Sequence, residues 1–442
     1  MSLPADHESG DARYQAVLER LHGRGRFGIR LGLGRTRALL RRLGDPQREL
    51  RGVLIGGTNG KGSTQALVAA ALRARGERVG QTPKPHLVSY RERIVVDGQP
   101  IGVASFTGLL EEILDAADAV AHRHGQPTEF EVLTAAAFAW FERAGVRLGV
   151  IEVGMGGRLD ATNVWQGGVS AITNVALDHT EHLGPTIVAI ATEKSHIIKR
   201  GDSAAVTAAD EPALGVIRRR AARVGVPLNL VEPLPVLGMD LDGLRVGAPG
   251  GGEMTLGMLG RHQAANAAVA WAILDALADA GIASVDREGR AAAFAATRWP
   301  GRLELVRRAS GPDVVLDGAH NPHGIAALAA ALAELLPGAS SAAPVLLMGV
   351  MANHWQAGML EPLKRALPDA ALVATTVPDS TNPLPPAQLA AAWGAGAAAI
   401  DEPDRALDVA LARAEKSGGW MVVCGSLYLV GYMRNRLVGP NA

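Results

Sequence analysis

The chain has 442 residues, which is long for one hydrophobic core and predicts two domains. Its 44 Lys and Arg residues balance 44 Asp and Glu residues, so the composition argues against a protein that binds nucleic acid through a basic face. The only cysteine, Cys424, excludes an intrachain disulfide and predicts a reducing compartment, and no apolar run is long enough to span a membrane. We therefore expect a soluble, cytoplasmic, globular protein.

The chain begins with polar residues that predict a loose tail over residues 1–10, without the apolar stretch of a secretion signal. A first helix is predicted over residues 12–22. Seven arginines follow, and their spacing is typical of the solvated side of a helix and its approach. They are Arg24, Arg26, Arg30, Arg35, Arg37, Arg41 and Arg42. This cluster does not change the expectation that no nucleic acid is bound.

A glycine-rich stretch, Gly56-Gly57-Thr58-Asn59-Gly60-Lys61-Gly62-Ser63-Thr64, lies between the apolar run 53–55 and a segment with helix composition, residues 65–75. This order predicts a phosphate-binding loop. Glycines let the backbone approach a phosphate closely, and the unpaired N–H groups and the dipole of the helix point at the anion. The lysine adds a full positive charge. The stretch departs from the Walker A pattern in having three residues between its flanking glycines and a glycine directly after the lysine. A flexible surface loop is the alternative, and we favour a site for a nucleotide phosphate.

Beyond this loop, apolar strands that end in polar clusters are predicted. Pro83 and Pro85 exclude helix and force an extended backbone. The predicted elements are strands over residues 79–81, 91–98, 147–153 and 169–175, and helices over residues 106–124 and 131–144. The last two strands end in the polar clusters 152–160 and 174–180. Because ligands of an open parallel sheet lie beyond the carboxyl ends of its strands, we expect both clusters to converge on the phosphate-binding loop.

The second half of the chain predicts a separate α/β domain. Residues 225–260 predict small antiparallel strands, and residues 261–280 predict a helix. A proline and a glycine interrupt the helical pattern at Arg298-Trp299-Pro300-Gly301-Arg302, so we predict domains over residues 1–299 and 300–442. The second domain alternates strands with helices, which indicates a small Rossmann-like fold. Its predicted strands are residues 314–316, 345–348, 371–375 and 420–424, and its predicted helices are residues 324–336, 359–366, 387–393 and 405–416.

Glu152 and His179 stand at or just beyond strand ends, and both residue types bind divalent cations. A magnesium ion that is bound by few protein ligands and by phosphate oxygens needs ligands in such positions. Without a phosphate-binding loop nearby, each of these residues more often forms structural hydrogen bonds.

Lys194 lies in an apolar segment whose burial favours the neutral amine, which can react with carbon dioxide to give a metal-binding carbamate. From these residues alone, a solvated lysine or an ion pair with Glu193 is the favoured interpretation, and only the family resemblance described below favours the carbamate.

Two further polar motifs follow strands of the second domain, at the ends where a substrate would meet them. They are Asp317-Gly318-Ala319-His320-Asn321-Pro322 and Gly425-Ser426-Leu427-Tyr428. A plain helix-entry role is the alternative for His320.

Taken in order, these motifs resemble the folylpolyglutamate synthase/dihydrofolate synthase family of the Mur ligase superfamily, from residue 28 to residue 432. Further blocks that carry the resemblance are Pro85-His86-Leu87, Tyr90-Arg91-Glu92-Arg93-Ile94, Phe130-Glu131, Leu177-Asp178-His179-Thr180, Glu193-Lys194 and Trp299-Pro300-Gly301-Arg302. The resemblance implies an α/β protein with an N-terminal P-loop-type ATPase domain, built on a mostly parallel sheet, and a smaller C-terminal Rossmann-like α/β domain that binds the amino acid. It also implies that ATP phosphorylates an acid and that the amine of glutamate displaces phosphate from the acyl phosphate.

The resemblance assigns roles residue by residue. ATP contacts are implied for Gly57, Thr58, Asn59, Gly60, Lys61, Gly62, Ser63, Asn266, Arg302 and Asp317. Magnesium ligands are implied for Glu152, His179 and a carbamylated Lys194. The folate-type acid is expected beside Lys84, His86, Phe130, Glu131, Arg158 and Asp160, and glutamate beside His320 and Ser426. Of these residues, Lys61, Lys194 and His320 are expected to be catalytic. The implied partners are these small molecules, and the expected state is a monomer.

Two departures from the family pattern bear on the substrates. Lys84 stands where the family usually has a serine that is the remaining magnesium ligand, and a protonated lysine has no acceptor for the ion. Either Thr82, two residues earlier on the same side of an extended strand, takes that role, or the Lys84 ammonium replaces the cation. Asn353-His354-Trp355 stands where the family usually has Asp-Lys-Asp, beside the expected amine site. A ligase for another acid or amine, and a nucleotide-binding protein without ligase activity, are therefore the alternatives.

Overall fold

The computed structural model describes residues 12–25, 32–336, 343–378 and 380–439 of the chain. The tail predicted over residues 1–10 lies outside the described residues, and so do Arg26 and Arg30 of the arginine cluster.

The described chain contains both helices and strands. The helices are α1 (Ala12–Gly25), α2 (Gly34–Arg42), α3 (Lys61–Ala74), α4 (Val103–His124), α5 (Glu129–Arg143), α6 (Thr180–Leu183), α7 (Ile187–Ser195), α8 (Ala213–Val224), α9 (Gln263–Asp279), α10 (Arg287–Ala296), α11 (Pro322–Leu335), α12 (Glu361–Ala366), α13 (Pro386–Trp393), α14 (Pro403–Ser417) and α15 (Leu427–Val438). None of these helices combines the length and the apolar character needed to cross a membrane.

The strands are β1 (Arg51–Gly56), β2 (Val79–Thr82), β3 (Val95–Val96), β4 (Gln99–Pro100), β5 (Leu148–Glu152), β6 (Gly168–Ile172), β7 (Ala204–Thr207), β8 (Leu228–Leu230), β9 (Val236–Asp240), β10 (Gly243–Gly247), β11 (Glu253–Leu256), β12 (Glu304–Val306), β13 (Val314–Leu316), β14 (Val345–Met348), β15 (Ala371–Ala374), β16 (Ala397–Ala399) and β17 (Met421–Cys424). In the described residues they form three sheets.

The first sheet has the order β4-β3-β2-β5-β1-β6-β7-β8. Its six neighbouring strands β2, β5, β1, β6, β7 and β8 are parallel, whereas β3 and β4 pair antiparallel at one edge. The second is a small antiparallel sheet in the order β11-β10-β9. The third has the order β12-β13-β17-β14-β15-β16 and is parallel except for its edge strand β12. The predicted α/β class is confirmed, with a mostly parallel N-terminal sheet and a smaller Rossmann-like C-terminal sheet.

The three central strands of the first sheet, β5, β1 and β6, are buried along their length except at Arg51. Such continuous apolar runs are expected of parallel strands that are covered on both faces. Ile55 of β1 lies opposite Glu152 of β5, and Gly56 lies opposite Ile172 of β6. The carboxyl ends of the three strands therefore meet at one edge. The predicted convergence of both polar clusters on the phosphate-binding loop is confirmed.

Residues 90–93 form a 3-10 helix, so the prediction that a strand covers residues 91–98 is wrong for this segment. The side chain of Ser89 accepts a hydrogen bond from the Arg91 N–H, and the Glu92 carboxylate accepts one from the Ser89 N–H at 2.7 Å. These bonds form a capping box, which stabilises a helical turn. Local capping therefore overrides the extended pattern of the segment, and the strand is confined to Val95–Val96.

Two arginines of the cluster that we expected on a solvated helix face are buried or half-buried. Arg24 is 5% exposed, and its guanidinium bonds to Asp118 and, at 3.3 Å, to the carbonyl oxygen of Leu114. Arg35 pairs with the buried carboxylate of Glu131 at 2.9 Å. The expected solvated role is wrong for both residues, because they fasten α1 to α4 and α2 to α5.

The described residues divide into two compact units. One unit comprises residues 12–235 and 264–297 and contains the first sheet. The other comprises residues 236–263 and 298–439 and contains the second and third sheets. The division into domains of residues 1–299 and 300–442 stays a prediction.

Candidate active site

The phosphate-binding loop between β1 and α3 is fixed by the segment that follows β6. The Thr58 N–H donates to the carbonyl oxygen of Asn174 at 3.0 Å, and the Asn59 N–H donates to Asn174 Oδ1 at 2.9 Å. The Thr173 hydroxyl donates to the carbonyl oxygen of Asn59 at 2.6 Å. Thr58 Oγ1 donates to the carbonyl oxygen of Ala176 at 3.2 Å and accepts from its N–H at 3.0 Å. The neighbouring strand end therefore sets the shape of the loop.

Two glycines of the loop are required by close contacts. Gly57 has φ of 141°, and a Cβ atom on it would lie 2.0 Å from Thr173 Oγ1. Gly60 has φ of 82°, and a Cβ atom there would lie 2.1 Å from Asn266 Oδ1, so Asn266 of α9 packs directly against the loop. Helix α3 begins at Lys61, which brings its first N–H groups and its positive dipole end to the loop. This is the arrangement that binds a phosphate.

The main-chain carbonyl oxygen of Gly57 accepts hydrogen bonds from two lysines. Lys61 Nζ lies 3.2 Å from it, and Lys194 Nζ lies 2.8 Å from it. Lys61 Nζ also donates to the carbonyl oxygen of Thr58 at 2.9 Å. Burial, together with the nearby charge of Lys61, lowers the pKa of Lys194 to about 7. A substantial share of Lys194 is therefore a neutral amine at neutral pH, directly beside the loop.

Arg158 lies near the acidic residue that precedes Lys194. Its side chain is 56% exposed and its Nη1 lies 3.8 Å from Glu193 Oε1. Its N–H donates to the carbonyl oxygen of Glu193 at 3.0 Å. The ion pair of Glu193 is thus made with Arg158, whereas Lys194 bonds to the loop.

Glu152, the last residue of β5, is tied to Lys84. Glu152 is 2% exposed, and its Oε2 accepts from the Lys84 N–H at 3.2 Å. Its carbonyl oxygen accepts from Lys84 Nζ at 2.5 Å, and the same ammonium lies 4.6 Å from the centre of the Phe130 ring. Burial lowers the pKa of Lys84 to about 8, while the charges of Asp160 and Glu152 act in the opposite direction. The ammonium form therefore predominates at pH 7.

Among the described residues, no cluster of three or more His, Cys, Asp and Glu side chains could hold a metal ion. Glu152 and His179 nevertheless stand at the end of β5 and in the segment after β6, on either side of the phosphate-binding loop. Thr82 Oγ1 lies at the end of β2 and accepts from the Glu152 N–H at 3.2 Å. Magnesium is usually held by one or two carboxylates together with phosphate oxygens and water. By residue type and by position at the strand ends, these residues match that requirement for an ion that arrives with a nucleotide, and their role as ligands stays a prediction.

Asp160 holds the turn that follows β5. Its Oδ2 accepts from the N–H groups of Gly154 and Met155, each at 3.0 Å, and its Oδ1 accepts from the Thr162 N–H at 3.0 Å. Asp160 as a whole is 5% exposed. Asp160 is thus engaged by its own loop.

Glu131 and His86 are also engaged by the fold. Glu131 caps α5, because its Oε2 accepts from the Thr128 N–H at 2.8 Å, and it pairs with Arg35. His86 is 2% exposed and its Nδ1 accepts from Arg93 Nε at 2.8 Å. Burial, with the charge of Arg93, holds the pKa of His86 well below its usual range, so the imidazole is neutral.

In the other unit, Asp317 follows β13 and is 8% exposed. Its carboxylate accepts from the N–H groups of Leu303 and Ala319, each at 2.8 Å. Burial raises the pKa of Asp317, whereas the charge of Arg302 and these two bonds act to lower it. Asp317 therefore links the end of β13 to the segment that carries Arg302.

The two polar motifs of this unit each begin a helix. The Ser426 side chain accepts from the Tyr428 N–H at 3.2 Å at the start of α15. Asn321 Oδ1 accepts from the Gly324 N–H at 2.8 Å at the start of α11, so Asn321 rather than His320 is the cap.

His320 lies beside one of the residues that depart from the family pattern. Its Nδ1 lies 2.7 Å from the carbonyl oxygen of Gly318. Its ring centre lies 5.0 Å from that of His354, with the two planes at 72°. His354 ends a 3-10 helix, Ala352–His354, and this turn brings its imidazole to His320.

Sequence reasoning assigned no role to Thr173 and placed Asn174 only in the polar cluster that was expected to reach the loop. Both residues hold the phosphate-binding loop in shape. Their position in the sequence could have indicated a role, because they directly follow β6 as the polar cluster at Glu152 follows β5. Which loop atoms they would bond could not be read from that position.

Comparison with known families finds two matches along the chain. Residues 55–231 match the Mur ligase middle domain, and residues 301–427 match the Mur ligase, glutamate ligase domain. The chain is 38% identical to the dihydrofolate synthase/folylpolyglutamate synthase of Bacillus subtilis over 327 residues, which are 72% of this chain and 75% of that protein. It is 40% identical to the protein of the same name from Mycobacterium tuberculosis over 329 residues, which are 68% of this chain and 66% of that protein.

Solved structures resemble the chain over nearly its whole length. The Mycobacterium tuberculosis folylpolyglutamate synthase complexed with ADP and AMPPCP has a TM-score of 0.85 and 32% identity, covering 96% of this chain and 99% of that one. The E. coli FolC in complex with DHPP and ADP has a TM-score of 0.83 and 27% identity, covering 98% of this chain and 99% of that one.

We predict that Thr58→Val weakens ATP binding about tenfold, because it removes both bonds to Ala176 and releases the loop. Thr207→Val is the matched control. The Thr207 hydroxyl also donates to a carbonyl oxygen, that of Ile172 at 2.9 Å, and accepts from an N–H, that of Ala209 at 3.1 Å. Both variants should lose about 1–3 kcal/mol of unfolding free energy, and only Thr58→Val should lose ATP affinity in calorimetric titration. Equal ATP affinity in Thr58→Val and the unsubstituted protein would contradict this role of the loop.

Proposed function

This chain belongs to the folylpolyglutamate synthase/dihydrofolate synthase family of Mur ligases, and we propose that it joins glutamate to a folate-type acid. The resemblance carried by the motifs is thereby confirmed, and the protein is an ATP-dependent ligase that forms a C–N bond. The observation that best supports the proposal is the phosphate-binding loop, at which Lys61 and Lys194 meet on one carbonyl oxygen with Glu152 on the adjacent strand. These groups suit a reaction in which a phosphoryl group is transferred to an acid.

In the proposed reaction a carboxylate oxygen of the acid attacks the γ-phosphorus of ATP, which gives an acyl phosphate and ADP. The amine of glutamate then attacks the acyl carbon, the C–O bond to phosphate breaks, and the amine loses a proton. The loop N–H groups and Lys61 would offset the charge that spreads over the phosphoryl oxygens. Magnesium, when bound, would be held by Glu152 and His179 and would neutralise phosphate charge.

The nucleotide site is proposed to be built on the loop itself. The N–H groups of residues 57–63 and the Lys61 ammonium would face the phosphates, and Asn266 would support the loop through its contact with Gly60. Roles for Arg302 and Asp317 towards the nucleotide stay predictions from the resemblance.

We propose that the acid lies beside Phe130 and Lys84. Phe130 offers an aromatic face, and the half-exposed guanidinium of Arg158 offers charge to a carboxylate. The carboxylates of Asp160 and Glu131 are bonded to their own segments, so we assign both a positioning role instead of direct contact with the acid. The imidazole of His86 is buried and neutral, and it accepts a hydrogen bond from Arg93. We therefore assign a positioning role to His86 as well.

The amine donor is proposed to be recognised by His320 and Ser426. Ligation of a different amine is the second candidate function, and the contact between His320 and His354 favours it. An imidazole pair has less fixed charge than the Asp-Lys-Asp segment that the family usually places there. The monomeric state and the cytoplasmic location implied by the resemblance stay predictions.

We predict that ADP release from magnesium and ATP requires both an acid and glutamate. Dihydropteroate and a reduced folate are tested separately, each with and without glutamate. Lys61→Met is the control, and it should lower the rate at least about 100-fold because it removes the lysine charge from the loop. Release that needs one acid and glutamate supports the proposal and identifies which activity the chain has. A protein that binds ATP yet releases no ADP above background with either acid would contradict the folate assignment and favour another acid or amine.

We propose further that Lys194 is carbamylated: the neutral amine attacks the carbon of carbon dioxide, an N–C bond forms, and a proton leaves the nitrogen. The buried position and the pKa of about 7 support this step, because the attacking amine must be neutral. The resulting anion could bind a cation at the loop.

The carbamate predicts a dependence on bicarbonate. Activity should fall in bicarbonate-depleted buffer and return when bicarbonate is added, and it should fall as the pH drops below about 7, because protonated Lys194 cannot react. With ¹³C-bicarbonate, NMR should show a carbamate carbonyl signal that Lys194→Arg lacks. Activity that is indifferent to carbon dioxide, without such a signal, would refute carbamylation.

A further inference from the structure

Lys84 places a positive charge where the ends of β2 and β5 meet. Its N–H donates to Glu152 Oε2 at 3.2 Å, and its Nζ donates to the carbonyl oxygen of Glu152 at 2.5 Å. The backbone and the ammonium of Lys84 are therefore both tied to one residue. The position of the charge is fixed relative to the carboxylate that we propose as a magnesium ligand.

The ring of Phe130 supports the ammonium from another direction. Its centre lies 4.6 Å from Lys84 Nζ, and a cation over an aromatic face is attracted by the ring. The ring also packs against the turn after β5, since a Cβ atom on Gly154 would lie 2.6 Å from Phe130 Cζ. The ammonium is thus held at a defined position by these contacts and is not a flexible side chain in solvent.

The charged groups around this ammonium have both signs. Glu152 and Asp160 favour the charged amine, whereas Arg93 and Lys61 oppose it. A divalent cation on the Lys84 side of Glu152 would place two positive charges next to a fixed ammonium. Like charges repel strongly in a partly buried site, so the ammonium disfavours binding of a cation there. The protonated lysine has donors and no acceptor, so it cannot become a ligand of that ion.

We propose that the Lys84 ammonium takes the place of one divalent cation, so that the chain binds ATP with one magnesium ion fewer than a Lys84→Ser variant would. The inference rests on the proposed function, because it takes the ATP phosphates to lie at the loop beside Glu152. The ammonium supplies a permanent charge and N–H donors for a phosphate or carboxylate oxygen. This part of the charge neutralisation is independent of the magnesium concentration.

Thr82 is the competing candidate, as a ligand in place of the missing serine. Its Oγ1 accepts from the Glu152 N–H at 3.2 Å and lies close to the same carboxylate residue. A hydroxyl has two lone pairs, so this bond leaves an acceptor for an ion. If Thr82 were the ligand, the cation would be present in the unsubstituted chain and the ammonium would not replace it.

The test counts Mn²⁺ ions bound per chain in the presence of AMPPCP, from the electron paramagnetic resonance signal of free Mn²⁺. Lys84→Ser and Lys84→Asn each supply an oxygen ligand and remove the ammonium, and both should bind one more Mn²⁺ per chain than the unsubstituted protein. Lys84→Arg keeps the cation and should leave the count unchanged. Thr82→Val should also leave it unchanged. Circular dichroism establishes that each variant is folded. If one of Lys84→Ser and Lys84→Asn does not fold, the other still carries the test.

An unchanged count in Lys84→Ser and Lys84→Asn would overturn the inference, and so would the loss of one Mn²⁺ in Thr82→Val. Binding of AMPPCP to the unsubstituted protein is measured first, by equilibrium dialysis. Absence of binding would overturn the proposed function together with the inference, whereas normal binding with equal metal counts overturns the inference alone. The Mn²⁺ count needs neither acid nor glutamate. A failure of the folate assignment is therefore detected by the ligase assay alone and does not affect the count.

Discussion

The main-chain carbonyl oxygen of Gly57 is the acceptor on which the rest of the site depends, because Lys61 and Lys194 both donate to it. A charged Lys194 is repelled by the ammonium of Lys61 on the same oxygen, and the pKa of Lys194 is lowered by burial and by the charge of Lys61. An anion at this point is therefore favourable, whether it is a phosphate at the start of α3 or a carbamate on Lys194. The chemistry that we propose uses this concentration of positive charge at one loop.

The order β5-β1-β6 determines which residues can take part. The loop after β1 lies between two strand ends, one of which brings Glu152 while the other brings Thr173 and Asn174. The segment after β6 also leads to α7, which returns Lys194 to the loop. Residues distant in the sequence thus reach one loop because adjacent parallel strands all end at the same edge.

The phosphate-binding loop, the strands over residues 314–316 and 345–348 and the α/β class could be predicted, because each depends on local residue types and spacing. Hydrogen-bond partners could not, since they depend on how the sheet is assembled. The carboxylate of Asp160 is used by the N–H groups of its own turn, and His354 reaches His320 only through the short helix that it ends. Helices α8 and α10 were not predicted, although their apolar residues recur at helical spacing.

The most direct test of the central claim follows an oxygen atom through the reaction. The acid is labelled with ¹⁸O in its carboxylate, and the inorganic phosphate released with ATP and glutamate is analysed by mass spectrometry. If the carboxylate attacks ATP at the loop and the amine then displaces phosphate, each phosphate released from acid that is fully labelled contains one ¹⁸O atom. Phosphate without the label, formed at the same rate as the amide product, would contradict the account, since the acid would then not have been phosphorylated.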